Sequence, residues 1–200
     1  MRKVLVFTIP AMLLLASHAM AGKYNKKLSI GDKAPAWKDL IGVDDKTHSL
    51  EDVAKAKAVV VVFTCNHCPV AMAYEDRLVK FAKDYEPKGV AVVAINVNNL
   101  PEDKLDKMKV RAKQKGFTFP YLYDPTQKIA RDYGATCTPH WFLLDGERKI
   151  AFMGSFDDNQ DSSRVKDKYL EKAADAVLAG KKPEVTETRQ FGCSIKYEGE

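Results

Sequence analysis

Two cysteines, Cys65 and Cys68, are spaced C-x-x-C in the stretch VVVVFTCNHCP, residues 59–69. Thiols at that separation can close a disulfide within one turn and reopen it by exchange, which proceeds through attack of one thiolate on a partner's disulfide. Cys65 is the candidate nucleophile and Cys68 the candidate resolving thiol. His67 lies between them, where an imidazole, as donor or as cation, can tune the Cys65 thiolate. A structural zinc site needs four ligands, and no second C-x-x-C is present to complete one.

The flanking sequence positions this pair. Val59–Phe63 is an unbroken apolar, β-branched run, the pattern of a strand buried on both faces. After Pro69, residues Val70, Tyr74, Leu78, Phe81, Ala82 and Tyr85 recur at steps of three and four, which predicts an amphipathic helix with the proline tolerated in its first turn. The cysteines therefore stand at a helix N-terminus. Free backbone N–H groups and the positive end of the helix dipole favour thiolate over thiol there, so Cys65 is expected to be ionised near neutral pH.

The remaining elements follow from periodicity and turn residues. Val90–Ile95 is a second apolar run, and two such strands joined by a helix make a parallel βαβ unit. Residues 96–101 read as a loop, 102–115 as a helix stopped by Gly116, 119–123 as a short strand, and 127–133 as a helix closed by Gly134. His140–Leu144 and Lys149–Met153 flank Asp145-Gly146 as a hairpin. A last amphipathic helix is expected over 165–178. Ser49 with Asp52 marks a short capped helix start.

Residues 1–21 have the form of a signal peptide. Arg2 and Lys3 precede an apolar stretch that ends in Ala19-Met20-Ala21, an A-x-A cleavage site, and the stretch is too short and too Pro-interrupted for a typical span. The expected organisation is a signal peptide at 1–21, a flexible arm at 22–29, one α/β domain at 30–180 and a tail at 181–200. Phe191, Cys193, Ile195 and Tyr197 in that tail suit packing back onto the domain. Export implies a periplasmic or extracellular destination, an oxidising compartment in which four cysteines can pair in three ways. Removing Arg2 and Lys3 lowers the net charge of +5 by two, and the remaining acids and bases alternate. That pattern argues against a nucleic-acid partner, and no membrane span is expected in the mature chain.

The stretches GDKAP (31–35), FTCNHCP (63–69), GFTFPYLYD (116–124), YGATCTP (133–139), FDDNQ (156–160) and GCSIKY (192–197) together resemble the peroxiredoxin-like branch of the thioredoxin superfamily, exported proteins related to the AhpC/TSA redoxins. The resemblance implies a thioredoxin-like fold, a central mixed sheet flanked by helices, with an N-terminal extension and a C-terminal tail. It also implies that Pro139 is cis and faces the C-x-x-C, making the Thr138 backbone a docking edge for extended substrate. Cys137 and Cys193 stand as a second redox or structural pair. Such an enzyme exchanges disulfides with proteins or small thiols, has a redox partner protein, and needs no organic cofactor or metal. Two departures stand out. Val59 and Ala71 occupy places where related enzymes bury an acid, and Thr64 precedes the first cysteine where a Trp is common. Two other activities fit the same residues: a thiol peroxidase attacked at Cys68, and a copper-binding chaperone using Cys65, Cys68 and Cys137, since soft thiolates select Cu(I).

Overall fold

The computed structural model describes residues 22–199; the expected signal peptide at 1–21 lies outside the described residues. Among the described residues nine strands and four α-helices are formed: β1 (Leu40–Gly42), β2 (Thr47–His48), β3 (Ala58–Phe63), α1 (Pro69–Tyr85), β4 (Val90–Asn96), α2 (Leu105–Lys115), β5 (Tyr121–Tyr123), α3 (Lys128–Tyr133), β6 (Cys137–Thr138), β7 (His140–Leu144), β8 (Ile150–Gly154), α4 (Tyr169–Leu178) and β9 (Cys193–Ser194). Seven strands join in the order β2-β1-β5-β4-β3-β7-β8. β4 runs parallel to both β3 and β5, while β7 is antiparallel to β3 and β8 antiparallel to β7. The sheet is mixed and thioredoxin-like, as the order of elements implied.

The apolar run at β3 has the physical cause expected of it. Val60 and Val62 pack on one face with Tyr74, Leu78 and Phe81 of α1, Met108 of α2 and Leu170 of α4. Val59, Val61 and Phe63 pack on the other with Ile129 and Tyr133 of α3 and with Trp37. Alternation along the strand sends successive side chains to opposite layers, so both sets must be apolar. All six β3 residues are fully buried.

Several boundaries move. The last helix begins at Tyr169 and not at 165, because the chain leaves a 3-10 turn at Ser162–Arg164 through an extended Val165 and becomes helical only four residues later. The helix expected from 102 starts at Leu105, after a 3-10 turn at Pro101–Asp103. β1 and β2, which the polar sequence around Asp44-Asp45 hides, extend the sheet edge through pairing with β5.

Residues 22–29, expected as a loose arm, are tied to the body. The backbone amides of Lys23, Tyr24 and Asn25 donate to the Glu187 carboxylate, the buried Asn25 side chain donates to Tyr133 O, and Leu28 joins the core under α3. The tail lies along the same side. Ile195 N donates to Thr136 O, Tyr197 Oη to Ala135 O, and Gln127 Nε2 to Lys196 O. Among the described residues no helix is long and apolar enough to cross a membrane.

Candidate functional site

The site forms where β3 ends and α1 begins. Cys68 is the N-cap of α1: its backbone is extended, its Sγ accepts the Ala71 amide at 3.4 Å, and Pro69 follows at the first helical position, where a missing N–H costs nothing. Cys65 sits at the end of β3, 2 % exposed, with Sγ 3.1 Å from Thr138 Oγ1. Thr138 and Pro139 are joined by a cis peptide bond, and Thr138 O lies 3.2 Å from Cys68 Sγ. One short segment, Thr138-Pro139, thus faces both sulfurs of the C-x-x-C.

The cysteine pairing differs from expectation. Cys68 is bonded to Cys193, 125 residues away, while Cys65 and Cys137 are free and buried. The expected Cys137–Cys193 pair is therefore corrected, and the reason is strand register. β9 pairs antiparallel with β6 so that Cys193 opposes Thr138 and Cys137 opposes Ser194. Directly opposed residues share a face and neighbours along a strand alternate, so Cys193 points with Thr138 toward Cys68, and Cys137 points away. The Cys137 thiol instead meets Pro139 O at 3.7 Å, and burial pushes it up to about 12. A three-thiolate copper site at Cys65, Cys68 and Cys137 is likewise not assembled, because Cys68 is already committed to the disulfide.

The acid missing from Val59 and Ala71 arrives from another element. Asp103, fully buried at the end of the 3-10 turn before α2, hydrogen-bonds His67 Nδ1 through one oxygen and accepts the Asn66 amide at 2.7 Å through the other. Asn96 of β4 donates to its backbone carbonyl, and Asn66 is held in turn by Glu102 O and Tyr121 Oη. Cys65 Sγ, a His67 ring nitrogen and an Asp103 oxygen lie within 4.8 Å of one another. Among the described residues this is the one group of three side chains of metal-ligating type gathered closely, and the His67–Asp103 hydrogen bond already satisfies part of it. Nothing in the local sequence PEDK marks Asp103; its one visible signal is an acid in a loop after the second βαβ strand.

The electrostatics of Cys65 also differ from expectation. Burial pushes its thiol above the ordinary cysteine range; the Thr138 hydroxyl pulls it down, the Asp103 charge adds to the rise, and the amides of Cys68 and His67 pull down more weakly. The helix terminus does act on the sulfur, but desolvation outweighs it. Alkylation of Cys65 by iodoacetamide, with Cys68–Cys193 closed, is expected to be slow at neutral pH and to keep climbing with alkalinity through the ordinary thiol range of about 8.5. The shape of the pH profile is the measurement, since poor access lowers every rate equally. A plateau reached before neutrality would contradict a neutral resting thiol.

Both arginines near the site elements are engaged. Arg77 of α1 is paired with the buried Asp157, and Arg111 of α2 holds Glu75 through two hydrogen bonds of 2.7 and 2.6 Å. His140, next to Pro139, packs on Phe142, and burial pushes it down to about 3, so it is neutral.

Comparison with known proteins agrees with this geometry. The redoxin family model matches residues 29–170. A structure of an uncharacterized conserved protein from Geobacillus kaustophilus superposes with TM-score 0.81 at 38 % identity, covering 86 % of this chain and 94 % of that one. A protein from Chlorobium tepidum provisionally named thiol:disulfide interchange protein DsbE gives TM-score 0.62 at 25 % identity, covering 76 % of this chain and 99 % of its own. A provisionally named peroxiredoxin of Mycobacterium tuberculosis is 30 % identical over 113 residues, 54 % of this chain and 66 % of that protein, so the chain spans just under two thirds of that relative's length. With the family match covering most of the chain and the cis-proline facing a C-x-x-C at a helix start, the chain belongs to the redoxin family, a peroxiredoxin-like member of the thioredoxin superfamily.

Proposed function

We propose that this protein is an exported thiol-disulfide oxidoreductase that exchanges disulfides through Cys65 and Cys68, with Thr138-Pro139 as the docking edge for an extended substrate. The observation that carries the reading is a free cysteine and a disulfide-bonded one on the same helix-opening turn, both against Thr138. Cys65 is the attacking sulfur. Because its resting thiol is neutral, attack requires loss of the proton first, and His67, held by the buried Asp103 carboxylate, is the nearby group that can take it. In the reduced protein the Cys65 thiolate then attacks one substrate sulfur and the other leaves with the electron pair and takes up a proton; the Cys68 thiolate next attacks Cys65 Sγ, closing Cys65–Cys68 and releasing the first substrate sulfur as a thiol. No organic cofactor enters these steps. A periplasmic location suits both the A-x-A segment and the likeness to a DsbE-named protein. Protein and small-molecule disulfides are the partners, together with a protein that resets the redox state.

A thiol peroxidase is the second reading, favoured by the Cys68–Cys193 bond and by the peroxiredoxin-named relative. There the Cys68 thiolate attacks one peroxide oxygen and becomes a sulfenic acid while the other oxygen leaves as water or alcohol, and the Cys193 thiol then condenses with it, closing Cys68–Cys193 and releasing water. Stopped-flow mixing of the fully reduced mature protein with glutathione disulfide in one syringe series and hydrogen peroxide in another separates the two. The oxidoreductase reading expects rapid oxidation by the disulfide and only background reaction with peroxide. Fast, saturating consumption of peroxide with sluggish exchange would replace it by the peroxidase.

A further inference from the structure

β9 lies on the edge that the oxidoreductase reading reserves for substrate. Its antiparallel partner is β6, the two residues that lead into the cis-proline, with Cys193 opposite Thr138. Gly192 shows how close the approach is: a Cβ there would stand 2.2 Å from Thr138 O and 3.0 Å from Pro139 N. Since those are backbone atoms, no side-chain adjustment would relieve the clash, and a glycine is required for this strand to lie flat on the cis-proline turn. The tail is not merely draped. Beyond Cys193, Ile195 N donates to Thr136 O, Lys196 N to Asn98 Oδ1, and Glu198 N to Gln127 Oε1. A strand added to a sheet edge beside a redox cysteine, with its own cysteine covalently joined to the active pair, has the geometry of a trapped peptide substrate.

We infer that Cys193 is a third redox-active thiol and that residues 191–195 form an internal substrate strand, which an extended cysteine-containing peptide replaces when the disulfide moves from Cys68–Cys193 to Cys65–Cys68. This rests on the oxidoreductase reading of Cys65 and Cys68 given above. Cys65 and Cys68 belong to one small cluster against which Cys193 packs, and Thr138 contacts both members of the pair. The step balances internally. The Cys65 thiolate attacks Cys68 Sγ, a Cys65–Cys68 bond forms, the Cys68–Cys193 bond breaks, and Cys193 leaves with the electron pair and takes up a proton equivalent to the one Cys65 lost. Neither oxidant nor reductant is consumed. Once Cys193 is a thiol, only hydrogen bonds and packing keep β9 in place, and an incoming strand with the same backbone pattern competes for the Thr138 edge.

The test is disulfide mapping of the full mature chain equilibrated across glutathione buffers, acid-quenched, alkylated and read by peptide mass. Wild type is expected to contain both Cys68–Cys193 and Cys65–Cys68. Their ratio is expected to stay constant while the total oxidised fraction changes with the buffer, because the two forms contain the same number of electrons. Cys65→Ser is expected to hold only Cys68–Cys193, and Cys193→Ser only Cys65–Cys68. Hydrogen exchange is read in parallel. The amide of Ile195 is expected to lose protection at least about tenfold in oxidised Cys193→Ser relative to Cys65→Ser, the loss that follows when a tethered strand becomes an untethered one. Wild type found only as Cys68–Cys193 at every potential, or equal protection of Ile195 in the two variants, would overturn the inference and leave the oxidoreductase reading intact. Failure of Cys193→Ser to form any Cys65–Cys68 bond would instead remove the redox pair on which both depend.

Discussion

Replacing Cys65 with serine lowers the rate of exchange between the reduced protein and glutathione disulfide by about 10³-fold or more, the loss expected when the attacking nucleophile of a covalent step is removed. The substitution is close to isosteric at a site 2 % exposed, and a serine hydroxyl can keep the hydrogen bond to Thr138 Oγ1, so the melting temperature is expected to change little. The two measurements together are informative. A variant that folds and does not exchange places the chemistry on that sulfur, whereas a variant that exchanges at the wild-type rate moves it to Cys68. Peroxide provides a second arm. If Cys68 were a peroxide-attacked thiol resolved by Cys193, Cys65→Ser would keep full peroxide consumption, since neither of those sulfurs is altered.

Asp157→Ala is expected to be strongly destabilising, by about 3 kcal/mol, because it removes a buried carboxylate that pairs the part-buried Arg77 and accepts from Tyr74. Asp157 is 4 % exposed and accepts from Tyr74 Oη at 3.1 Å and from Arg77, while the Arg77 guanidinium stacks 3.9 Å from the Tyr74 ring centroid. Arg77 also donates to the carbonyls of Asn159 and Gln160, so the segment FDDNQ is bound to the middle of α1. Removing the carboxylate takes the counter-charge from the guanidinium and the acceptor from the Tyr74 hydroxyl at once. For a chain of this length the loss corresponds to a fall in Tm of about 10 °C. Urea unfolding measures it directly: an unchanged midpoint would show that Arg77 finds enough solvent to stand alone. Because α1 carries Cys68 at its start, the variant is also expected to broaden the environment of the disulfide, visible as faster reduction by dithiothreitol.

The arrangement at Cys65 favours a restrained enzyme over a permanently activated one. Burial and the Asp103 charge hold the thiol protonated, and the tail pairs with the Thr138 edge. A buried thiol that rests neutral resists oxidation by small molecules, since the thiolate is the form that reacts.

The strand before the C-x-x-C and the amphipathic helix after it were legible from residue order alone, because an apolar run and three-and-four spacing are local signals that burial imposes residue by residue. The βαβ unit from Val59 to Ile95 and the hairpin from His140 to Met153 were legible in the same way, within a residue of their observed ends, and the family resemblance implied the cis bond before Pro139. Only the tertiary structure decided which sulfur Cys193 meets, which acid stands behind His67, and whether Cys65 is ionised. Each of these depends on groups far apart in the chain. β6 and β9 are two residues long and too short to show any period, and their register alone turns Cys193 toward Cys68 and Cys137 away. Asp103 comes to His67 from 36 residues downstream through a turn whose composition looks like any exposed loop. The balance at Cys65 was a contest between a helix terminus, which sequence reveals, and burial, which it does not; desolvation prevails because the tail and the Thr138 turn close over the sulfur.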